Sequence, residues 1–202
     1  ADKDEIKKIG ERMIEIGKRQ TLKVLRKKEM GVYLGEGTPG EQGVLLPGKQ
    51  VPPGLEPGDE LSVFVYKDSE DRPIATVREP LLALGEMGIL TVAQTSQIGA
   101  FLDWGLERDL FLPFKEQRGR VRKGEQVFVA VYLDKSSRLC ATMRVDPYLR
   151  SDSPYRKDDP VSGVLYEVNK EIGGFVAVDG RYFGLIPAAE LPRELVPAVS
   201  VG

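Results

Sequence analysis

The sequence predicts an all-β protein made of tandem five-stranded barrels of the OB type, the third of them incomplete. Three observations carry this expectation. First, residues 59–76 read DELSVFVYKDSEDRPIAT and residues 125–142 read EQVFVAVYLDKSSRLCAT, each after a glycine (Gly58, Gly124). Asp68 and Asp134, Arg72 and Arg138, and Pro47 and Pro113 all stand 66 residues apart, a fixed period that dictates a repeat architecture. Second, each unit of roughly 65 residues holds five short β-branched or aromatic runs separated by glycine and polar turns, the pattern of a small closed antiparallel barrel. Third, no long helical period interrupts those runs.

The elements follow in chain order. Residues 1–17 form a separate segment in which Ile6, Ile9, Met13 and Ile16 fall on one face of an amphipathic helix. Ile14-Glu15-Ile16 suits the start of a strand equally well, and Met13 reads as a natural initiator that would make residues 1–12 an appended piece. The first barrel covers residues 18–80, the second 84–148 and the third 158–202, with Glu79-Pro80 and the polar stretch Ser151–Pro160 as linkers. Leu22–Leu25 and Ile89–Val92 are short strands. Residues 31–34 and 99–102 follow as strands opened by a glycine that relieves a sharp bend. Leu61, Val63 and Val65 form an apolar stripe repeated by Val127, Val129 and Val131. Polar turns at 67–71 and 134–137 then lead into strands at 74–78 and 139–144. In the third unit Gly173-Gly-Phe-Val176 and Leu185-Ile-Pro187 match the earlier strands, but the closing hairpin is lacking because the chain stops at Gly202.

Composition narrows the chemistry. The 202 residues contain no histidine and one cysteine, with 29 Lys+Arg against 31 Asp+Glu and a net charge of -2. Histidine-based triads, imidazole proton shuttles and His- or Cys-ligated zinc sites are therefore excluded. A binding protein rather than an enzyme is expected, with no cofactor and no metal. A lone cysteine, Cys140, fits a reducing compartment and reads as a small core residue. No signal-peptide pattern or apolar run of membrane-spanning length is present, and a cytoplasmic location with no membrane partner is expected. The acidic turn Asp68–Asp71 reads as a hairpin ahead of a cation site, and the glycine-rich 35–43 stretch as a flexible loop rather than a phosphate cradle.

Gly99-Ala-Phe-Leu-Asp-Trp-Gly105, followed by Asp-Leu-Phe-Leu-Pro and the Gly124-led hairpin, resembles the ribosomal-protein S-one RNA-binding domain. Gly184-Leu-Ile-Pro-Ala-Ala-Glu-Leu191 matches the middle segment of that domain. Asp68-Ser-Glu-Asp-Arg72 with Ala-Thr, and Gly99-Ala-Phe-Leu-Asp-Trp-Gly-Leu106, are more narrowly similar to the conserved virulence factor B family of bacteria, over residues 14–202. The resemblance implies tandem S-one-like domains in a cytoplasmic protein that binds RNA and regulates gene expression post-transcriptionally, and family members continue through a complete third domain into a winged-helix domain, so this chain reads as a fragment. It also shows a departure. Pro47, Pro113 and Pro187 replace the family's histidine, and Met30, Ile98 and Ile172 replace its first aromatic residue. One ring per unit remains, at Tyr33, Phe101 and Phe175, which implies weak binding.

The expected nucleic-acid surface consists of Tyr33, Phe101 and Phe175, where a base stacks or, alternatively, a neighbouring domain packs. Trp104 either widens that platform or, as a lone Trp in a barrel more often does, anchors packing. Arg78 and Arg144, at the ends of the last strands, reach for phosphate or are solvated strand ends. Arg120, Arg122 and Lys123 lie with Arg118 in a loop between barrel strands where OB folds grip ligands. The run from Lys18 through Arg26 to Lys28 reads as a solvated face. Arg72 and Arg138 are expected to pair with Asp68 and Asp134. The partner is single-stranded RNA, contacted with low sequence preference; the alternative is a protein–protein scaffold using the same faces. The sequence leaves the oligomeric state open.

Overall fold

The computed structural model describes residues 14–192 and the backbone of residues 199–201. Two compact units divide the chain. Of the described residues, the first takes 14–84 with 105–108 and 133–139; the second takes 85–104, 109–132 and those from 140 onward. The helix expected over residues 6–16 lies mostly outside the described residues; Ile14 and Ile16 are not helical, and they pack partly buried against the core of the first barrel.

The first barrel is formed by β1 (Arg19–Lys28), β2 (Gly31–Gly35), β3 (Val44–Pro47), β4 (Glu60–Lys67) and β5 (Pro73–Thr76). It closes in the order β1-β2-β3-β5-β4, with β3 and β5 meeting in parallel at Leu45 and Ile74. The second barrel repeats it with β6 (Met87–Thr95), β7 (Gly99–Asp103), β8 (Leu110–Pro113), β9 (Gln126–Leu133) and β10 (Leu139–Thr142). Inside the first barrel lie Leu22, Val24, Val32, Leu34, Leu46, Val63 and Val65, the alternate residues of their strands, which places one face of each strand in the core.

The first strand of each barrel is longer than Leu22–Leu25 and Ile89–Val92. The reason is a bulge at Leu25 and at Ala93, which lets one strand bend and pair with two neighbours. Charged residues therefore belong to the strand itself: Lys23 is exposed between buried Leu22 and Val24. The last strands stop at Thr76 and Thr142, short of Arg78 and Arg144. Each threonine hydroxyl accepts the N–H two residues on, at 3.1 Å from Arg78 and 3.0 Å from Arg144, which turns the chain out of the ladder. Gly31 and Gly99 do more than relieve a bend. At φ of 150° and 157°, a Cβ would stand 2.0 Å from the Leu46 carbonyl oxygen and 2.5 Å from that of Leu112. The facing strand needs that space.

The third module is a four-stranded sheet in the order β13-β12-β11-β14, from β11 (Gly163–Asn169), β12 (Gly173–Val178), β13 (Tyr182–Pro187) and β14 (Val199–Val201). The sequence predicts no part of the final hairpin for this module. β14, however, pairs antiparallel with β11, in the place that β4 takes beside β1. Leu165, Val176 and Val178 form its core.

Candidate nucleic-acid interface

Each module presents one aromatic residue on the outer face of its second strand, held there by alternation. Val32 and Leu34 point inward, and so Tyr33 points outward. What surrounds the ring differs from module to module, because the residue across the strand pair differs. Bulges at Leu25, Ala93 and Tyr166 shift the register of the three modules so that Arg26 stands opposite Tyr33, Gln94 opposite Phe101 and Glu167 opposite Phe175.

In the first module the Arg26 guanidinium lies over the Tyr33 ring, 4.5 Å from its centroid. Arg26 also donates to the carbonyl oxygens of Glu41, at 3.1 Å, and of Gln42. An open cleft of about 600 Å³ is lined by Arg26, Lys28, Met30, Tyr33, Gln42 and Gly43. This volume falls in the range that holds a small ligand. Met30 at the adjoining turn is 64% exposed, which adds apolar surface beside the ring.

In the second module Phe101 packs against Phe111 of the neighbouring strand, ring centroids 5.4 Å apart, with Ile98 exposed at the hairpin tip. The basic loop between β8 and β9 is divided in its roles. Arg120 lies 4.0 Å over the Phe114 ring, an arrangement that keeps a cation on an aromatic face at the surface. Arg122 and Lys123 are exposed, while the backbone N–H of Arg122 donates to the Glu125 carboxylate. Arg118 is committed elsewhere, to Asp146 at 2.6 Å and Glu167 at 2.7 Å. Arg144 is exposed, and its Nε donates to the Lys115 carbonyl at 3.1 Å. Arg78 is exposed as well, with its carbonyl accepting from Arg19 at 3.1 Å.

One of the expected surface residues is corrected, and a second takes the packing alternative in part. Trp104 is only 2% exposed, so its indole packs inside and offers no face to a base. The large apolar ring follows directly on β7, and burial outweighs display there. Phe175 is half-buried against the cluster of Phe128, Ala130, Val145, Tyr166 and Ala177. Its ring sits 6.3 Å from Tyr166 and 5.9 Å from Phe183. Burial pushes the Tyr166 hydroxyl well above its ordinary pKa, and its 2.7 Å hydrogen bond to the Asp146 carboxylate pushes the same way. The third ring thus belongs largely to packing within the second compact unit.

The acidic turn is a hairpin device. Asp68 accepts the N–H groups of Glu70 at 2.9 Å and Arg72 at 3.0 Å, and pairs with the Arg72 side chain at 3.0 Å. Burial alone would raise its pKa; the hydrogen bonds from Arg72 and Glu70 outweigh burial and lower it. Arg138 likewise approaches Asp134 at 3.9 Å and Asp71 at 3.4 Å. Sequence reasoning missed Arg26, which it placed in a solvated run. Only the bulge-shifted register pairs it with Tyr33. It also missed Phe111, whose place opposite Phe101 was legible in the alternation of LFLP.

The sequence pattern of the family described as the S1 domain matches residues 16–78 and 84–144, more than half of the chain. The chain belongs to the S1 domain family. The two matches cover the two closed barrels. Among individual proteins, the chain is 32% identical over 94 residues to the protein YitL of Bacillus subtilis (strain 168), covering 46% of this chain and 30% of that protein. It is 29% identical over 122 residues to conserved virulence factor B of Staphylococcus haemolyticus (strain JCSC1435), covering 57% of this chain and 40% of the relative. These matches thus span well under half the length of either relative. In fold, the S1 modules are similar to the crystal structure of a multidomain protein with nucleic acid binding domains from Streptococcus pneumoniae TIGR4. The TM-score is 0.57 at 16% identity, covering 92% of this chain and 67% of that one.

Proposed function

We propose that this chain binds single-stranded RNA and acts by binding alone, with the outer faces of the first two S1 modules as the contact surface. The observation that carries this reading is an outward aromatic ring on each closed barrel, with cations directly beside the ring on the first. Tyr33 lies with Arg26 and Lys28 around one cleft, and Phe101 with Phe111 forms an aromatic face in a module that also carries Arg120, Arg122 and Lys123 on an exposed loop. Stacking supplies about 1–3 kcal/mol per base, tolerant of sequence, and Lys28 with the exposed cations of the second module supplies phosphate contacts. Membership of the S1 family and the nucleic-acid-binding description of the Streptococcus pneumoniae structure support the same class of ligand. A role in regulating gene expression within the cytoplasm, which the family resemblance of the sequence implies, is part of this proposal.

The third module supports a second reading for itself alone. Its face carries Phe183 and Leu185, 44% and 45% exposed, with Glu167 in the place of Arg26. An apolar face whose cross-strand neighbour is a carboxylate already paired with Arg118, with no cation over the ring among the described residues, suits a protein partner better than a phosphodiester chain.

The test is fluorescence anisotropy of a labelled mixed-sequence single-stranded RNA titrated at low and physiological salt. Wild type should bind with log affinity falling against log salt at about −0.7 per phosphate contacted. Tyr33→Ala and Phe101→Ala should each weaken binding about fivefold or more, while Phe175→Ala should change it little. Binding that ignores salt, or that survives both ring deletions unchanged, refutes the proposal.

A further inference from the structure

The glycine-rich stretch between β2 and β3 is organised around a single carboxylate. Glu41 accepts the backbone N–H groups of Glu36, at 3.0 and 3.1 Å to its two oxygens, of Gly37 at 3.0 Å and of Thr38 at 3.1 Å. Its own N–H closes the turn onto the Thr38 carbonyl at 3.1 Å. Gly35 is part of the same fit, because a Cβ there would stand 2.3 Å from Glu41 Oε1. The carboxylate thus occupies a concavity of backbone N–H groups of the kind that receives anions. The loop expected to be flexible is held from within.

The outer side of this loop faces the site. The carbonyl oxygens of Glu41 and Gln42 receive the two terminal nitrogens of Arg26, whose guanidinium covers the Tyr33 ring. We propose that Glu41 is a positioning residue for the first module. Its carboxylate sets the loop, the loop carbonyls hold Arg26 flat over Tyr33, and a base stacks on the outer face of the guanidinium rather than directly on the ring. Arginine planes serve as stacking surfaces for unpaired bases. With both terminal nitrogens engaged by carbonyls, phosphate contact falls to Lys28, which lines the same cleft. The second module has Gln94 at the position of Arg26 and so offers its rings bare. The two barrels thereby differ in how they take a base, although their folds repeat.

This inference rests on the reading of the first module as an RNA face, and the experiment separates the two. Full-chain wild type, Glu41→Ala, Glu41→Gln, Arg26→Ala, Tyr33→Ala and the double variant of Glu41→Ala with Arg26→Ala are titrated with the same labelled RNA. Glu41→Ala should weaken binding about two- to fivefold, in the range of an exposed cation–π contact, and Glu41→Gln by less. In the Arg26→Ala background, Glu41→Ala should change nothing further. Losses that multiply instead of saturating would overturn the proposal, since Glu41 would then act independently of Arg26. A second readout needs no RNA: the ring current of Tyr33 should move the Arg26 side-chain protons upfield in the NMR spectrum, and Glu41→Ala should abolish that shift. An Arg26 signal unchanged by Glu41→Ala sinks the positioning role. Tyr33→Ala without effect on affinity sinks the RNA reading, while the NMR result still decides whether Glu41 positions Arg26.

Discussion

Thr142→Val and Thr76→Val make the same chemical change in two barrels of the same design, and the structure predicts unequal costs. Both threonines are essentially buried, 2% and 1% exposed, and both hydroxyls accept the N–H two residues on. What differs is the acceptor each hydroxyl donates to, a side chain of the short 3₁₀ turn after the third strand. Thr76 donates to the amide oxygen of Gln50 at 2.7 Å, whereas Thr142 donates to the carboxylate of Glu116 at 2.6 Å. Valine preserves shape, so the cost is that of the lost hydrogen bonds. For a neutral pair this is about 0.5–1.5 kcal/mol, and for a bond to a charged group about 1.5–3 kcal/mol. Thr142→Val should therefore destabilise its barrel by about 1 kcal/mol more than Thr76→Val destabilises the other, a factor of about five in the population of opened molecules. Hydrogen exchange followed by mass spectrometry reads each barrel separately, from peptides of β4–β5 and of β9–β10. Glu116→Gln should bring the two costs together. Equal costs in the wild-type background, or a larger one for Thr76→Val, would refute the assignment of the difference to the acceptor's charge.

Gly99→Ala would drive a methyl against the Leu112 carbonyl oxygen at 2.5 Å and Pro113 Cα at 3.0 Å in a left-handed conformation, so a loss of about 3 kcal/mol or more is expected, seen as early exposure of the buried Trp104 in urea. Tyr166, 4% exposed, is protonated in the folded chain beyond the ordinary phenol value of 10.0. Its contribution to stability is thus fully present below about pH 10 and is lost as pH rises above it, when the unfolded chain ionises first. Tyr166→Phe removes one hydrogen bond to a carboxylate, costing about 1.5–3 kcal/mol at neutral pH, but should flatten the alkaline loss. Urea midpoints from pH 8 to pH 11 check this, and an alkaline loss as steep in the variant as in wild type would point to other groups.

The repeat and the apolar alternation were enough to specify two barrels, because both are local properties of the chain. Val63 and Val65 point inward wherever the strand is placed, and the glycines at 31 and 99 recur because a neighbouring carbonyl occupies the space a side chain would need. The outward position of Tyr33 and Phe101 follows from the same alternation. What stands beside those rings depends on register, and register depends on bulges at Leu25 and Ala93 that leave no mark in composition or periodicity. That is why Arg26 read as part of a solvated run, and why Gly35–Gly43 read as loose although Glu41 binds its backbone. Trp104 left the expected surface, and Phe175 turned in part to packing, for a related reason. An aromatic ring is equally at home stacking on a base or packing in a core, and only the assembled neighbours decide which.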